Sequence, residues 1–197
     1  MWLAMAPIRI GFSNFSLDEL LEMIFLDTEF TDLASPALLS VSMVSLKGLE
    51  IYEELDLVQD PIGQMRLRAS SEFTRGTVIP QFNKVANSKC STRELGNRAG
   101  EWLIACAADI GGKIIVAYDY DDDFALLRDA MRRASIWDRV APLLEPQNID
   151  HITGRVEGAM AAEASWLESA LYRGLQRHHA LADALALRAA WRAVCGQ

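Results

Sequence analysis

Acidic side chains fall into three short groups whose spacing suits the binding of divalent cations. The first is Asp27-Thr28-Glu29, at the end of the apolar run Ile24 to Phe30. Alternate residues of a strand point to the same face, so Asp27 and Glu29 project together from a rigid support, and a hard cation needs oxygen ligands held this way. The second is Tyr118-Asp119-Tyr120-Asp121-Asp122-Asp123, four acids in six residues ahead of a helical pattern. Counting three, four, seven and eight residues on from Asp123 reaches Leu126, Leu127, Ala130 and Met131, which share its helix face. The same steps from Asp121 reach Phe124, Ala125, Arg128 and Asp129, a poorer core. Asp123 is therefore the preferred inward acid, with Asp121 and Asp119 as the alternatives. The third group is His178-His179-Ala180-Leu181-Ala182-Asp183-Ala184. A histidine in the incoming loop and an aspartate in the first helical turn can reach one cleft. Each group alone also has an ordinary use, as a solvated strand end or as an acidic helix start favoured by the helix dipole.

The surrounding pattern predicts the elements that must position these groups. Ile24 to Phe30 reads as a buried strand, Ala37 to Leu46 as a second, and Leu49 to Leu57 as a third, with a turn at Lys47-Gly48, giving a hairpin meander. Pro61 to Lys89 lacks a clean period and reads as a long loop bordering a binding site. Ser91 and Glu94 have capping-box spacing and open a helix that Gly111-Gly112 ends. A buried strand over Lys113 to Tyr118 follows, then an amphipathic helix over Phe124 to Ala134 and a short edge strand over Asn148 to Thr153. Met160, Ala164, Leu167, Leu171 and Leu175 repeat at three- and four-residue steps and predict a helix ending near Gly174, before a last helix over Ala180 to Val194. This order predicts an α/β domain with a mixed central sheet flanked by helices.

Composition narrows the setting. A chain of 197 residues, 51% of them hydrophobic, suffices for one core and predicts one domain over residues 23–197. Residues 1–22 stand apart as an N-terminal extension, with Met23 a candidate natural start immediately before the first strand. Met1 to Phe12 is interrupted by Pro7 and has no convincing small-residue cleavage site, so no signal peptide is expected. No apolar run is long enough to span a bilayer. Three widely spaced cysteines, Cys90, Cys106 and Cys195, indicate neither a disulfide framework nor a zinc site, and a reducing, cytoplasmic setting is expected. The net charge of −8 argues against a polyanionic partner at first sight, but six of the acids lie in the first two groups, where bound cations would reverse the local sign.

Taken together, Phe25-Leu26-Asp27-Thr28-Glu29, Tyr118 through Leu127, and His178 through Ala184 resemble the three motifs of the DEDDh 3'-5' exonuclease superfamily. The similarity spans about Met23 to Trp191 and is strongest toward a small bacterial exoribonuclease-like branch. It implies a ribonuclease H-like fold and release of nucleoside 5'-monophosphates from the 3' ends of RNA or single-stranded DNA. Carried over residue by residue, it makes Asp27, Glu29, Asp123 and Asp183 metal-binding carboxylates and His178 the general base, since H-x-A-x-x-D matches His178, Ala180 and Asp183, with His179 as the fallback. The second motif departs from the family by opening with Tyr118-Asp119 in place of His-Asn. Four converging carboxylates cannot all stay ionised without counter-charge, and two divalent cations, Mg²⁺ or Mn²⁺, are the expected complement. Phe30 and Tyr120 are candidates to stack on the terminal base. Arg173, Arg177, Lys84, Lys89, Arg93 and Arg98 are candidates to meet phosphates. Similar enzymes are often homodimers, which the resemblance also implies here.

Overall fold

A computed structural model describes residues 23–196; the expected extension over residues 1–22 lies outside the described residues. Among these residues six strands, numbered in chain order with β4 the short Lys89–Cys90, form one mixed sheet in the order β4-β3-β2-β1-β5-β6. Strand β1 (Met23–Phe30) pairs antiparallel with β2 (Leu38–Ser45), which pairs antiparallel with β3 (Glu50–Leu55), so the expected meander is present. On the other side of β1, β5 (Ile114–Tyr118) and then β6 (Leu144–Asn148) add in parallel. The sheet is thus an α/β sheet whose central strand carries Asp27 and Glu29.

Alternation along β1 divides the packing between two layers. Ile24 and Leu26 face a core shared with α2 (Thr92–Ile110) and α3 (Asp121–Arg133), including Leu95, Leu103, Leu127 and Met131. Met23 and Phe25 face the opposite layer and pack with Leu187 and Trp191 of α7 (Ala180–Cys195), the Phe25 and Trp191 rings lying 5.8 Å apart. Asp27 and Glu29 continue the row of Phe25 and so emerge beside α7.

Helix α2 begins where its capping box predicts. The Ser91 side chain accepts from the Glu94 N–H, the Glu94 carboxylate accepts from the Ser91 N–H, and the helix ends at Gly111 in the left-handed conformation. It crosses α3 at a glycine: a Cβ at Gly96 would come within 2.3 Å of the Ala130 carbonyl oxygen and 2.9 Å of the Ala134 Cβ. Backbone cannot yield as a flexible side chain can, so Gly96→Ala is expected to destabilise the fold by about 2–4 kcal/mol. Denaturant unfolding checks this, and a change under about 0.5 kcal/mol would show that the helices can separate freely at this point.

Three expectations are corrected. The stretch 61–89 is no loop: it holds α1 (Pro61–Ala69), a π-helical turn (Thr74–Val78), a 3₁₀ turn (Ile79–Gln81) and the start of the short strand β4 (Lys89–Cys90). Asp60 caps α1 by accepting from the Gly63 N–H at 2.9 Å with Pro61 following, but Ile62 and Met65 are exposed, so no inward apolar stripe marks the helix. The edge strand lies earlier than Asn148 to Thr153: β6 ends at Asn148, and Asp150–Thr153 is a short helix, α5. Pro146 inside β6 masks the strand signal, and an edge position is where a strand tolerates proline. Helix α3 starts at Asp121 rather than Phe124, its first turn filled by Asp121, Asp122 and Asp123, as the helix dipole favours. Between these elements lie a short helix, α4 (Trp137–Val140), and a 3₁₀ turn (Ala141–Leu143). Helix α6 (Val156–Arg173) ends at Gly174 as expected, but Met160, Leu167 and Leu171 face outward, and only Leu175 of that series is buried.

Candidate metal centre

Three elements meet at the end of β1 that carries Phe30. Helix α3 brings Asp123 there, where it is almost wholly buried. Its Oδ1 accepts from both the backbone N–H and the hydroxyl of Thr28, at 3.2 and 2.6 Å, fastening helix to strand. Helix α7 brings Asp183 in its first turn. Asp183 Oδ2 accepts from the His178 backbone N–H at 2.9 Å, and Oδ1 accepts from the indole N–H of Trp166 on α6 at 2.5 Å. Both aspartates therefore have one or more oxygens held by protein donors, which fixes where the remaining lone pairs point.

Ligand-capable atoms of Glu29, His178 and Asp183 all lie within 4.8 Å of one another. Asp27, Glu29, Asp123, Asp183 and His178 also line one cleft of about 650 Å³, together with Phe30, Phe73, Tyr120 and Arg177. The charges are mutually unfavourable. Burial, followed by the charges of Asp183, Asp123, Glu29 and Asp119, raises the Asp27 carboxyl well above the usual aspartate range. Burial and the charges of Asp183 and Asp123 do the same to Glu29. Asp123 is pushed up to about 7 and Asp183 to about 6, in both cases mainly by burial and against the hydrogen bonds just described. Asp27 Oδ2 is buried and has no hydrogen-bond partner among the described residues. A buried carboxylate oxygen without a donor, surrounded by other carboxylates, suits a divalent cation, so these residues fit such a group.

The two histidines are placed differently. His178 has a left-handed backbone, φ 66°, and its half-buried ring meets the edge of Phe73 at 5.1 Å in the cleft. Burial and the neighbouring Arg177 lower its pKa, so its imidazole is neutral at neutral pH. His179, the fallback, caps α7: its Nδ1 accepts from the Leu181 N–H at 3.2 Å, and its ring stacks on Tyr52 at 4.4 Å. It does not line the cleft. Among the alternative acids, Asp121 accepts from the Asn148 amide at 2.8 Å. Asp119 lines an adjoining hollow with Asp27, Asp150 and Asp183.

Of the proposed substrate contacts, Phe30 and Tyr120 both line the cleft and stack on each other with centroids 6.0 Å apart. Of the six candidate cations, Arg177 alone lines it. Arg173 pairs with Glu50, Arg98 with Glu53, and Lys84 donates to the Gly174 carbonyl. Lys89 sits on the edge strand β4 and Arg93 in the first turn of α2, both away from the cleft.

Sequence reasoning missed Trp166, Thr28 and Phe73. Thr28 was visible inside Asp27-Thr28-Glu29, but its role depends on α3 lying across the strand. Nothing near Trp166 in sequence marks it. Trp166→Phe keeps the ring and removes the donor to Asp183, and is expected to weaken Mn²⁺ binding by about 10- to 100-fold. Calorimetric titration checks this; an unchanged affinity would mean that the indole N–H does not position Asp183.

No helix among the described residues is long and apolar enough to cross a membrane. No protein-family model and no curated protein sequence matches the chain.

Proposed function

We propose that this chain is a metal-dependent 3'-5' exonuclease of the DEDDh type, releasing nucleoside 5'-monophosphates from RNA or single-stranded DNA. The observation that carries this reading is the meeting of Asp27 and Glu29 from β1, Asp123 from α3 and Asp183 from α7 in one cleft beside His178. A ribonuclease H-like version of the α/β fold is supported by the antiparallel meander extended in parallel on the free side of β1.

Asp27, Glu29, Asp123 and Asp183 would hold two divalent cations, Mg²⁺ or Mn²⁺, which supply charge neutralisation and Lewis acidity at the scissile phosphate. The chain does the rest. Phe73 and the stacked Phe30 and Tyr120 form walls on which the terminal base rests, and Arg177 meets a phosphate. His178, neutral because burial and Arg177 lower its pKa, accepts a proton from the attacking water. The new bond forms between that water oxygen and phosphorus, the bond to the 3'-oxygen breaks, and the departing 3'-oxygen takes up a proton from solvent. The Asp183 hydrogen bond to the His178 N–H keeps the base and the carboxylate in fixed relation.

Incubation with Mn²⁺ and a 5'-labelled oligonucleotide tests the reading. The label is expected to pass through progressively shorter strands, and a 3'-blocked strand is expected to resist. His178→Ala should lower turnover by about 10²- to 10⁴-fold while sparing metal affinity. An inactive wild-type protein would sink the proposal, and equal loss of metal affinity would make His178 a ligand.

That Arg177 is the one cation lining the cleft among the described residues favours a second reading, a phosphodiesterase acting on small nucleotides. Comparing dinucleotides with longer strands separates the two: a rate that collapses with length selects the second.

A further inference from the structure

Helix α6 inverts the usual arrangement of a surface helix. Toward α7 it presents mostly small residues, with Gly158 and Ser169 buried and Ala161, Ala162 and Ser165 partly so, Trp166 being the one large side chain on that face. Its large apolar residues face solvent instead: Val156, Met160, Leu167 and Leu171 are 72, 70, 72 and 74% exposed. At about 100° per residue, these four and the exposed Ala164 fall within an arc of about 80°, a single narrow stripe. The stripe is about 22 Å long and exposes on the order of 600 Å² of apolar surface, at the upper end of what a lone monomer carries.

The spacing within the stripe is palindromic. Val156 and Leu171 lie equally far from the midpoint between Glu163 and Ala164, and so do Met160 and Leu167. A two-fold contact between identical surfaces requires this self-complementarity. Turning one helix end for end sets Val156 opposite Leu171 and Met160 opposite Leu167. The small Ala164 then falls at the crossing, where two helices approach most closely, with Glu163 of the other copy at its flank. The alternation of three- and four-residue steps over Met160, Ala164, Leu167 and Leu171 is that of a helix-pair seam.

We propose that α6 is a self-association face, and that two copies of the chain pack α6 against α6, antiparallel, about a two-fold axis between Glu163 and Ala164. A standard interface buries about 800 Å² per partner, which the stripe approaches once its flanks, including the exposed Tyr172, are added. The charged flanking residues Glu157, Glu163 and Glu168 are all acidic, and of these Glu163 already pairs with Arg177 at 3.9 Å. In the antiparallel pair Glu157 lies near Glu168 of the other copy, so like charges oppose an apolar attraction. Self-association therefore strengthens as salt screens them, whereas a basic helix from another protein would bind more weakly as salt rises.

Sedimentation velocity of the full chain, at rising concentration and in low and high NaCl, tests this directly. The expected result is a reversible dimer that tightens with salt. The double substitution Met160→Glu and Leu167→Glu should weaken it by at least about 100-fold while leaving the circular dichroism spectrum unchanged. With Cys195→Ser as background, Ala164→Cys should oxidise to a disulfide-linked dimer, while Ala159→Cys, off the stripe, should not. A chain that stays monomeric at every concentration overturns the proposal. A dimer indifferent to the double substitution, or one weakened by salt, overturns it equally. Failure of the Ala164→Cys variant to cross-link rules out the antiparallel register.

Discussion

Asp27→Asn is expected to abolish hydrolysis, by more than about 10³-fold, and at the same time to make the metal-free protein more resistant to heat at pH 8. The two effects share a cause. Asp27 is half-buried, its buried Oδ2 has no donor among the described residues, and its carboxyl is raised by desolvation and by four neighbouring carboxylates. With cations bound, that arrangement is useful. Without them it is an uncompensated buried charge, and the amide relieves it at nearly constant shape. Differential scanning calorimetry in chelator, beside calorimetric Mn²⁺ titration, reads both effects. A variant that binds metal normally, or that melts earlier than wild type in chelator at pH 8, would show that Asp27 is an ordinary solvated strand-end acid.

The same electrostatics make stability depend on pH in a direction opposite to that of a protein held by ion pairs. Asp183 titrates at about 6 and Asp123 at about 7, and Asp27 and Glu29 are raised as well. In the unfolded chain these acids titrate near 4, so between about pH 4 and pH 7 the folded protein binds more protons than the unfolded one. Stability is then fully present below pH 4 as far as these groups are concerned. It falls as pH rises through 6 and 7, by several kcal/mol in total. In chelator the melting temperature at pH 8 should lie about 10 °C below that at pH 5, and saturating Mg²⁺ or Mn²⁺ should recover most of the gap while changing little at pH 5. A metal-free protein equally stable at both values would show that the four acids do not share one desolvated cleft.

Much of this was legible in the residues. A period of two placed Asp27 and Glu29 on one face of β1, and a period near four picked Asp123 from a crowded turn, because a carboxylate on the same face as Leu127 and Met131 must go wherever that face goes. The capping box of α2 rests on contacts three residues apart and needed no tertiary information. Elements that bury little on an inward stripe escaped. Helix α1 carries Ile62 and Met65 on its exposed side, and α6 packs small residues and Trp166 against α7 while turning Met160, Leu167 and Leu171 to solvent, so its period announced a helix without saying which side was in. Long-range partners were beyond reach as well. Asp183 and Trp166 are 17 positions apart and joined by a hydrogen bond, while Thr28 and Asp123 are 95 apart, and only the packing of the layers brings either pair together.

Pro146 has a consequence beyond having hidden β6. Outermost strands are where sheets of different molecules can zip together and precipitate. Here one margin of the sheet is a five-residue strand containing a residue with no amide proton to donate, and the other is the two-residue β4. β4 covers only Glu54 and Leu55 of β3, and the uncovered part of that strand bears the acids Glu50 and Glu53. Among the described residues neither margin offers a long, flat, apolar template, so amyloid-like stacking is disfavoured at both ends of this sheet.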